Sequence, residues 1–257
     1  MQPTSTSGGT EHINEMEMYY QVRGKGDPLV LLHGFTGSGS NWDGFISEFG
    51  HDYRLVIPDL RGHGRSTNPS MKFTFRQSAL DVFGLLDKLG IKRFKAIGVS
   101  GGAKTILHMA TQQPERVDAM VLVSAAPYFP PQARAIMREM TPENRSEQEW
   151  QTMRQWHKHG DEQIKALWNQ GNSFKDSFDD MNFTAPYLST ISARTLIVHG
   201  DSDPLYPASL ALEMHAAIPG SHLWIVPNGG HGPIFGEMRE QFIKTALAFL
   251  GDEWKDV

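Results

Sequence analysis

No cysteine occurs among the 257 residues, which excludes disulfides, thiolate metal sites and a cysteine nucleophile. Basic charge is scarce as well: 24 Lys and Arg stand against 29 Asp and Glu, a net charge of -5. With no basic run, nucleic acid is not an expected partner. No apolar stretch approaches the roughly 18 residues needed to cross a bilayer, so no membrane span is expected. The opening residues, MQPTSTSGGTEHIN, lack the basic-then-apolar order of a secretory signal. They read as a flexible leader over 1–14, and the chain as a soluble cytoplasmic protein. Nothing in the pattern fixes an oligomeric state.

What is present is a recurrence of short apolar runs: PLVLLH (28–33), YRLVIPD (53–59), FKAIGV (94–99), AMVLVS (119–124), RTLIVH (194–199) and HLWIVP (222–227). Near-continuous Val, Ile and Leu without alternation marks strands buried on both faces, hence a mostly parallel sheet flanked by helices, an α/β class. MEMYYQVRG (16–24) alternates better. With Lys25-Gly26-Asp27 as a turn, it is expected to pair antiparallel with the strand beginning at Pro28. Thr74 and Gln77 have capping-box spacing at the start of one helix. Pro114 stops a second, and Pro207 lies near the start of a third. From about Pro127 to Ser192 no strand-like run occurs. That interval holds three of the six tryptophans and is too long for a plain connection. It is expected to form a helical cap inserted over one end of the sheet, leaving 15–126 and 193–257 as the core.

Ligands of open parallel sheets bind beyond the carboxyl ends of the strands. Ser100 follows one apolar run, Asp203 another and His231 a third, so a hydroxyl, a carboxyl and an imidazole leave the same sheet edge. Their order, Ser then Asp then His, is that of a nucleophile-elbow hydrolase. The stretch GVSGGAKT (98–105) also lies one residue from a phosphate-cradling loop. That loop needs Gly where Ala103 stands, and a nucleotide reading leaves Asp203 and His231 unexplained.

The motifs LLHGFTGSGSNWDGF, IPDLRGHGRS, IGVSGGA, IVHGDSDPLYP and GGHGP, in that order, resemble the α/β-hydrolase fold superfamily in its esterase, haloperoxidase and C–C hydrolase branch. The resemblance covers roughly Glu17 to Leu250, with 127–192 unmatched in motif. It implies Ser100 as nucleophile, His231 as general base, Asp203 as the carboxylate that orients the histidine, and the backbone N–H groups of Phe35 and Gly101 as the oxyanion hole. It implies hydrolysis of small carboxylic esters with short-to-medium acyl chains through an acyl-enzyme, with no cofactor and no metal. Alternatives that use the same three residues are a C–C bond hydrolase or lactonase and a cofactor-free perhydrolase or haloperoxidase; a slow-turnover ligand receptor on the same fold is another. Dehalogenase and epoxide hydrolase chemistry is disfavoured, since relatives of that kind carry Asp where Ser100 stands.

Competing residues are assigned plainer parts. The family pattern G-D-x-D-x-x-x-P puts the carboxylate at Asp203 rather than Asp201, and Asp59 reads as a turn residue. His33 and His63 read as structural. His157 and His159, two apart, would face different ways on a helix, which argues against a metal pair. Trp42, Phe129, Trp150, Trp156 and Trp168 are the candidates to line an apolar acyl pocket.

Overall fold

The computed structural model describes residues 7–251, 253 and 254. The strands are β1 (Ser7–Ile13), β2 (Met16–Gly24), β3 (Asp27–Leu32), β4 (Tyr53–Pro58), β5 (Phe94–Val99), β6 (Val117–Val123), β7 (Arg194–Gly200) and β8 (His222–Val226). They form one sheet in the order β1-β2-β4-β3-β5-β6-β7-β8, antiparallel at β1–β2 and β2–β4 and parallel from β4 through β8. The helices are α1 (Ile46–Asp52), α2 (Phe75–Lys88), α3 (Gly101–Gln112), α4 (Pro131–Arg138), α5 (Glu147–Trp156), α6 (Asp161–Ser173), α7 (Ala185–Leu188), α8 (Ala208–Ala217) and α9 (Arg239–Leu250). No helix among the described residues is long and apolar enough to cross a membrane.

The unbroken apolar runs are explained by two cores, one on each face of the sheet. Val30 and Leu32 of β3 pack with Val82 and Leu86 of α2, Ile106 and Leu107 of α3, and Leu210 of α8. Leu29 and Leu31, which alternate with them, pack with Phe49 of α1 and with Phe242 and Phe249 of α9. A strand covered on both sides has no polar face to display. Helix boundaries follow the sequence signals. The Thr74 hydroxyl accepts from the Gln77 N–H at 3.0 Å, but the Gln77 amide donates to Asp81 instead of returning to Thr74, so only half of the expected capping box forms. Pro114 follows directly on the end of α3, and Pro207 is the N-cap of α8.

Two expectations fail. Residues 7–13 are not a leader: they form β1, paired with β2 from Ser7↔Val22 to Ile13↔Met16. An edge strand has one neighbour and one partly solvated face, so its polar composition gives no apolar signal to read. Residues 1–6 of that expected leader lie outside the described residues. β2, in turn, does not pair with β3, because β4 lies between them. The chain crosses the start of β4 through Gly24 and Gly26, at φ 76° and 106°. A Cβ on either would sit 2.4 Å from the Tyr53 carbonyl oxygen or 2.3 Å from that of Asp52. The short Gly-containing linker is a crossing, not a hairpin.

Between β6 and β7 the chain runs through α4 to α7, with a single isolated bridge, Tyr128↔Asn182, in place of any strand. Met153, Ile164, Leu167 and Trp168 make a small core of their own there, against which Phe35 packs.

Candidate active site

β5 ends at Val99, and the chain turns sharply at Ser100 (φ 50°, ψ -107°) into α3. Such a left-handed conformation is unfavourable for a serine. It is held by the Ser100 N–H, which donates to the Val123 carbonyl at 2.8 Å. The turn also needs its glycines: a Cβ on Gly98 would meet the Ala103 nitrogen at 2.6 Å, and one on Gly102 the Leu32 carbonyl oxygen at 2.3 Å. The Ser100 side chain therefore stands clear of the sheet at the N-terminus of a helix, where the first N–H groups lack intrahelical acceptors.

The Ser100 hydroxyl donates to His231 Nε2 at 2.8 Å. His231 Nδ1–H donates to Asp203 Oδ2, also at 2.8 Å. The other carboxylate oxygen of Asp203 accepts the N–H groups of Leu205 at 2.8 Å and Tyr206 at 3.1 Å. Burial pushes the Asp203 carboxyl pKa up, but the hydrogen bond and charge of His231, together with those two N–H groups, hold it below the ordinary value. The acid is thus an anion at neutral pH and fixes the histidine with Nε2 free to accept. Asp201, by contrast, is exposed, and among the described residues its side chain accepts from the neighbouring Ser202 hydroxyl alone.

The Phe35 nitrogen lies against Gly101: a Cβ built on Gly101 would meet it at 2.8 Å. The two expected oxyanion donors are therefore adjacent. The loop that carries Phe35 is braced by buried histidines. His33 Nδ1–H donates to the Gly34 carbonyl at 2.7 Å, and its Nε2 accepts from the Leu60 N–H at 3.0 Å. His63 Nε2 accepts from the Thr36 N–H at 3.1 Å. Burial lowers the His33 pKa to about 4 and pushes that of His63 well down, so both rings stay neutral and keep their acceptor nitrogens.

Above Ser100 and His231 opens a cavity of about 340 Å³ lined also by Trp42, Val99, Trp156 and Phe235. Of the five side chains expected to line a pocket, Trp42 and Trp156 do so. Phe129 instead packs against Phe174 and Phe75, with ring centroids at 5.7 and 6.2 Å. Trp150 and Trp168 meet edge to face at 4.4 Å in the core of the 147–173 helices; Trp168 also lines an adjoining hollow of about 350 Å³ that shares Thr36 and Trp156 with the cavity over Ser100. A large apolar side chain near a site goes where its own helix needs filling, and composition does not reveal which. A second hollow of about 340 Å³ lies between residues 62–71 and α6. Its Ser66 hydroxyl and His159 ring are both engaged by backbone carbonyls, those of Asp59 and Arg65, so it offers no hydroxyl–imidazole pair.

Two contributors were not foreseen. Ser124, just past β6 at φ 50°, accepts the Gly232 N–H on its Oγ at 3.0 Å and so anchors the loop that presents His231. His157, beyond the end of α5, reaches the loop that carries Phe35: its ring lies 3.0 Å from the Thr36 carbonyl oxygen. Both partners lie more than 100 residues away in the chain, so no local pattern exposes them. Among the described residues no group of three or more His, Asp or Glu is arranged to hold a metal ion. His157 and His159, the pair tested above as ligands, each bond to backbone groups.

An eight-stranded, mostly parallel sheet with a serine at a strand-to-helix elbow defines a hydrolase of the α/β type. Residues 27–237 match the family described as alpha/beta hydrolase fold, and the chain belongs to it. It is 27% identical to the serine hydrolase BPHL of Homo sapiens, over 96% of this chain and 87% of that protein. It is 29% identical, over 92% of each, to a 2-hydroxy-6-oxononadienedioate/2-hydroxy-6-oxononatrienedioate hydrolase of Pseudomonas putida. Among solved structures it superposes on the carboxylesterase CesB of Bacillus subtilis with a TM-score of 0.78 at 22% identity, covering 96% of this chain and 92% of that one. That last likeness is one of fold.

Proposed function

We propose that the protein is a carboxylesterase-like serine hydrolase acting on small esters of short-to-medium acyl chains, with 127–192 as a cap over the site. The observation that carries this reading is the unbroken chain from Ser100 Oγ through His231 to Asp203, at 2.8 and 2.8 Å. Ser100 Oγ attacks the ester carbonyl while its proton passes to His231 Nε2. The carbonyl oxygen becomes an oxyanion, met by the Phe35 and Gly101 N–H groups. Each such donor is worth about 3 kcal/mol in the transition state. Collapse expels the alcohol, which takes the proton from Nε2. Water then loses a proton to Nε2, attacks the acyl-enzyme, and Ser100 leaves reprotonated. Ser100, His231, substrate and water supply every proton and electron pair in this scheme, so it calls for no cofactor.

Lining chemistry favours a neutral acyl group. The Pseudomonas relative is named for dioates, which carry two carboxylates. Among the described residues no Arg or Lys lines the cavity over Ser100, and burying an unpaired carboxylate there would be costly. Ser100→Ala should lower kcat on p-nitrophenyl butyrate by on the order of 10⁴–10⁶ and abolish labelling by a fluorophosphonate. Near wild-type turnover in that variant would remove Ser100 as nucleophile. Preferred cleavage of a vinylogous diketone over every ester in a chain-length series would favour the C–C hydrolase reading instead.

A further inference from the structure

We propose that His157 of the cap is a positioning residue for the oxyanion hole, fixing the Phe35 N–H through the Thr36 carbonyl. This rests on the serine-hydrolase reading above. Thr36 is in the left-handed region at φ 66°, a conformation that persists only where surroundings enforce it. Three bonds enforce it. Its N–H donates to His63 Nε2, its hydroxyl donates to the Phe35 carbonyl at 2.6 Å, and its own carbonyl accepts from the His157 ring at 3.0 Å. The carbonyl of Thr36 and the N–H of Gly37 belong to one planar peptide unit, and that N–H donates to the Gly34 carbonyl at 3.0 Å. The Gly34 carbonyl shares its own planar unit with the Phe35 N–H, so the His157 bond is relayed to the direction in which Phe35 presents that N–H.

The tautomer follows from the partners. The Gly64 N–H donates to His157 Nδ1 at 2.9 Å, so the proton is on Nε2 and points at Thr36. The ring is only 3% exposed, and burial lowers its pKa to about 4, which preserves that acceptor. The titratable and charged groups around it are His33, His63 and Asp59 from the core and Lys158 beside it. Other cap bonds go elsewhere. The Lys158 N–H donates to the Gly64 carbonyl, and the Gln163 amide donates to the carbonyls of Gly62 and Gly64. Among the described residues, His157 supplies the one hydrogen bond from the cap to residues 34–37.

The test compares His157→Phe, His157→Gln and Gln163→Ala on p-nitrophenyl butyrate. The phenylalanine variant should lose on the order of 10–100-fold in kcat with KM within about threefold, the pattern of an interaction made in the transition state. His157→Gln retains a donor for Thr36 and should recover most of the loss. Gln163→Ala loosens the cap without touching the oxyanion loop and should match wild type. An unchanged kcat in His157→Phe, or an equal loss in Gln163→Ala, overturns the proposal. Independently of any variant's folding, ¹⁵N–¹H imidazole correlations of the wild type should show His157 as the Nε2–H tautomer at pH 7. The Nδ1–H tautomer overturns it too. The ring spectrum does not depend on turnover, so a wild type that shows the expected tautomer yet hydrolyses no ester would count against the hydrolase reading instead.

Discussion

Two groupings of aromatic side chains meet at the candidate triad, and they behave differently. Trp156 and Phe235 stand around open space above Ser100, with the fully buried Trp42 as its floor. Phe73, Phe75, Phe129 and Phe174 fill theirs: Phe73–Phe75 and Phe75–Phe174 centroids are both 5.2 Å apart, and Phe35 joins them at 4.9 Å from Phe174. Against this packed side lies Lys104, fully buried. Its Nζ donates to the Tyr206 hydroxyl at 2.6 Å and sits 5.2 Å from the Phe75 ring and 5.3 Å from that of Phe129. One grouping thus leaves a vacancy and the other fills its space, although both are aromatic. Aromatic content beside a nucleophile says nothing by itself about where an acyl chain goes.

The difference can be broken by substitution. The largest effect is expected at Phe75→Ala, which should destabilise the fold by about 3–5 kcal/mol through lost burial and a residual void, read by urea unfolding, with the acyl-length preference unchanged. A shift in chain-length preference there would mean that the packed side is part of the pocket. Next comes Lys104→Met. Burial lowers the Lys104 pKa from the usual 10.5 to about 7, against the pull of Asp203 and Asp180. Between pH 7 and about 10.4 the unfolded chain holds a proton that the folded chain has shed, so wild-type stability rises with pH across that window. The methionine variant lacks this rise. At pH 7 its gain from losing a buried cation is offset by an unpartnered Tyr206 hydroxyl. Wild type should therefore gain on the variant by on the order of 2–4 kcal/mol from pH 7 to 10. Parallel pH profiles would refute the depressed lysine. The smallest effect in energy belongs to Trp156→Ala. It should cost under about 1 kcal/mol in stability, because the residue is half-buried and faces space. It should nonetheless change kcat/KM several-fold and unevenly along a p-nitrophenyl ester series. Equal changes for acetate and octanoate would remove Trp156 from the acyl wall.

How much of this was legible in the sequence divides along the same line. The six apolar runs all became strands: the first five are buried along most of their length, which leaves little place for polar residues, and β8, at the margin and half-buried from His222 to Ile225, is apolar enough to read the same way. Ser100, Asp203 and His231 were legible because each follows such a run within four residues, and the strand-end rule brings them to one edge. β1 escaped notice because a strand at a sheet margin can be polar. The partners of β2 were misassigned because a two-residue step over β4 has the same glycines as a tight turn. Ser124 and His157 were invisible as contributors, since each acts on a backbone group far along the chain. Phe129 and Trp150 were misplaced because hydrophobicity fixes that a side chain is covered, not by what.

β1 carries one more consequence. Left bare, β2 would offer its free N–H and C=O groups, with Met16, Met18 and Val22 buried along the same strand, as a template for strands of other molecules. The outermost ribbon instead presents Gly8, Thr10 and His12 to water, with His12 held to Glu17 at 2.9 Å and Glu11 to Lys88 at 3.4 Å. Seven residues that look dispensable act as a hem, making the margin of the sheet a poor seed for aggregation.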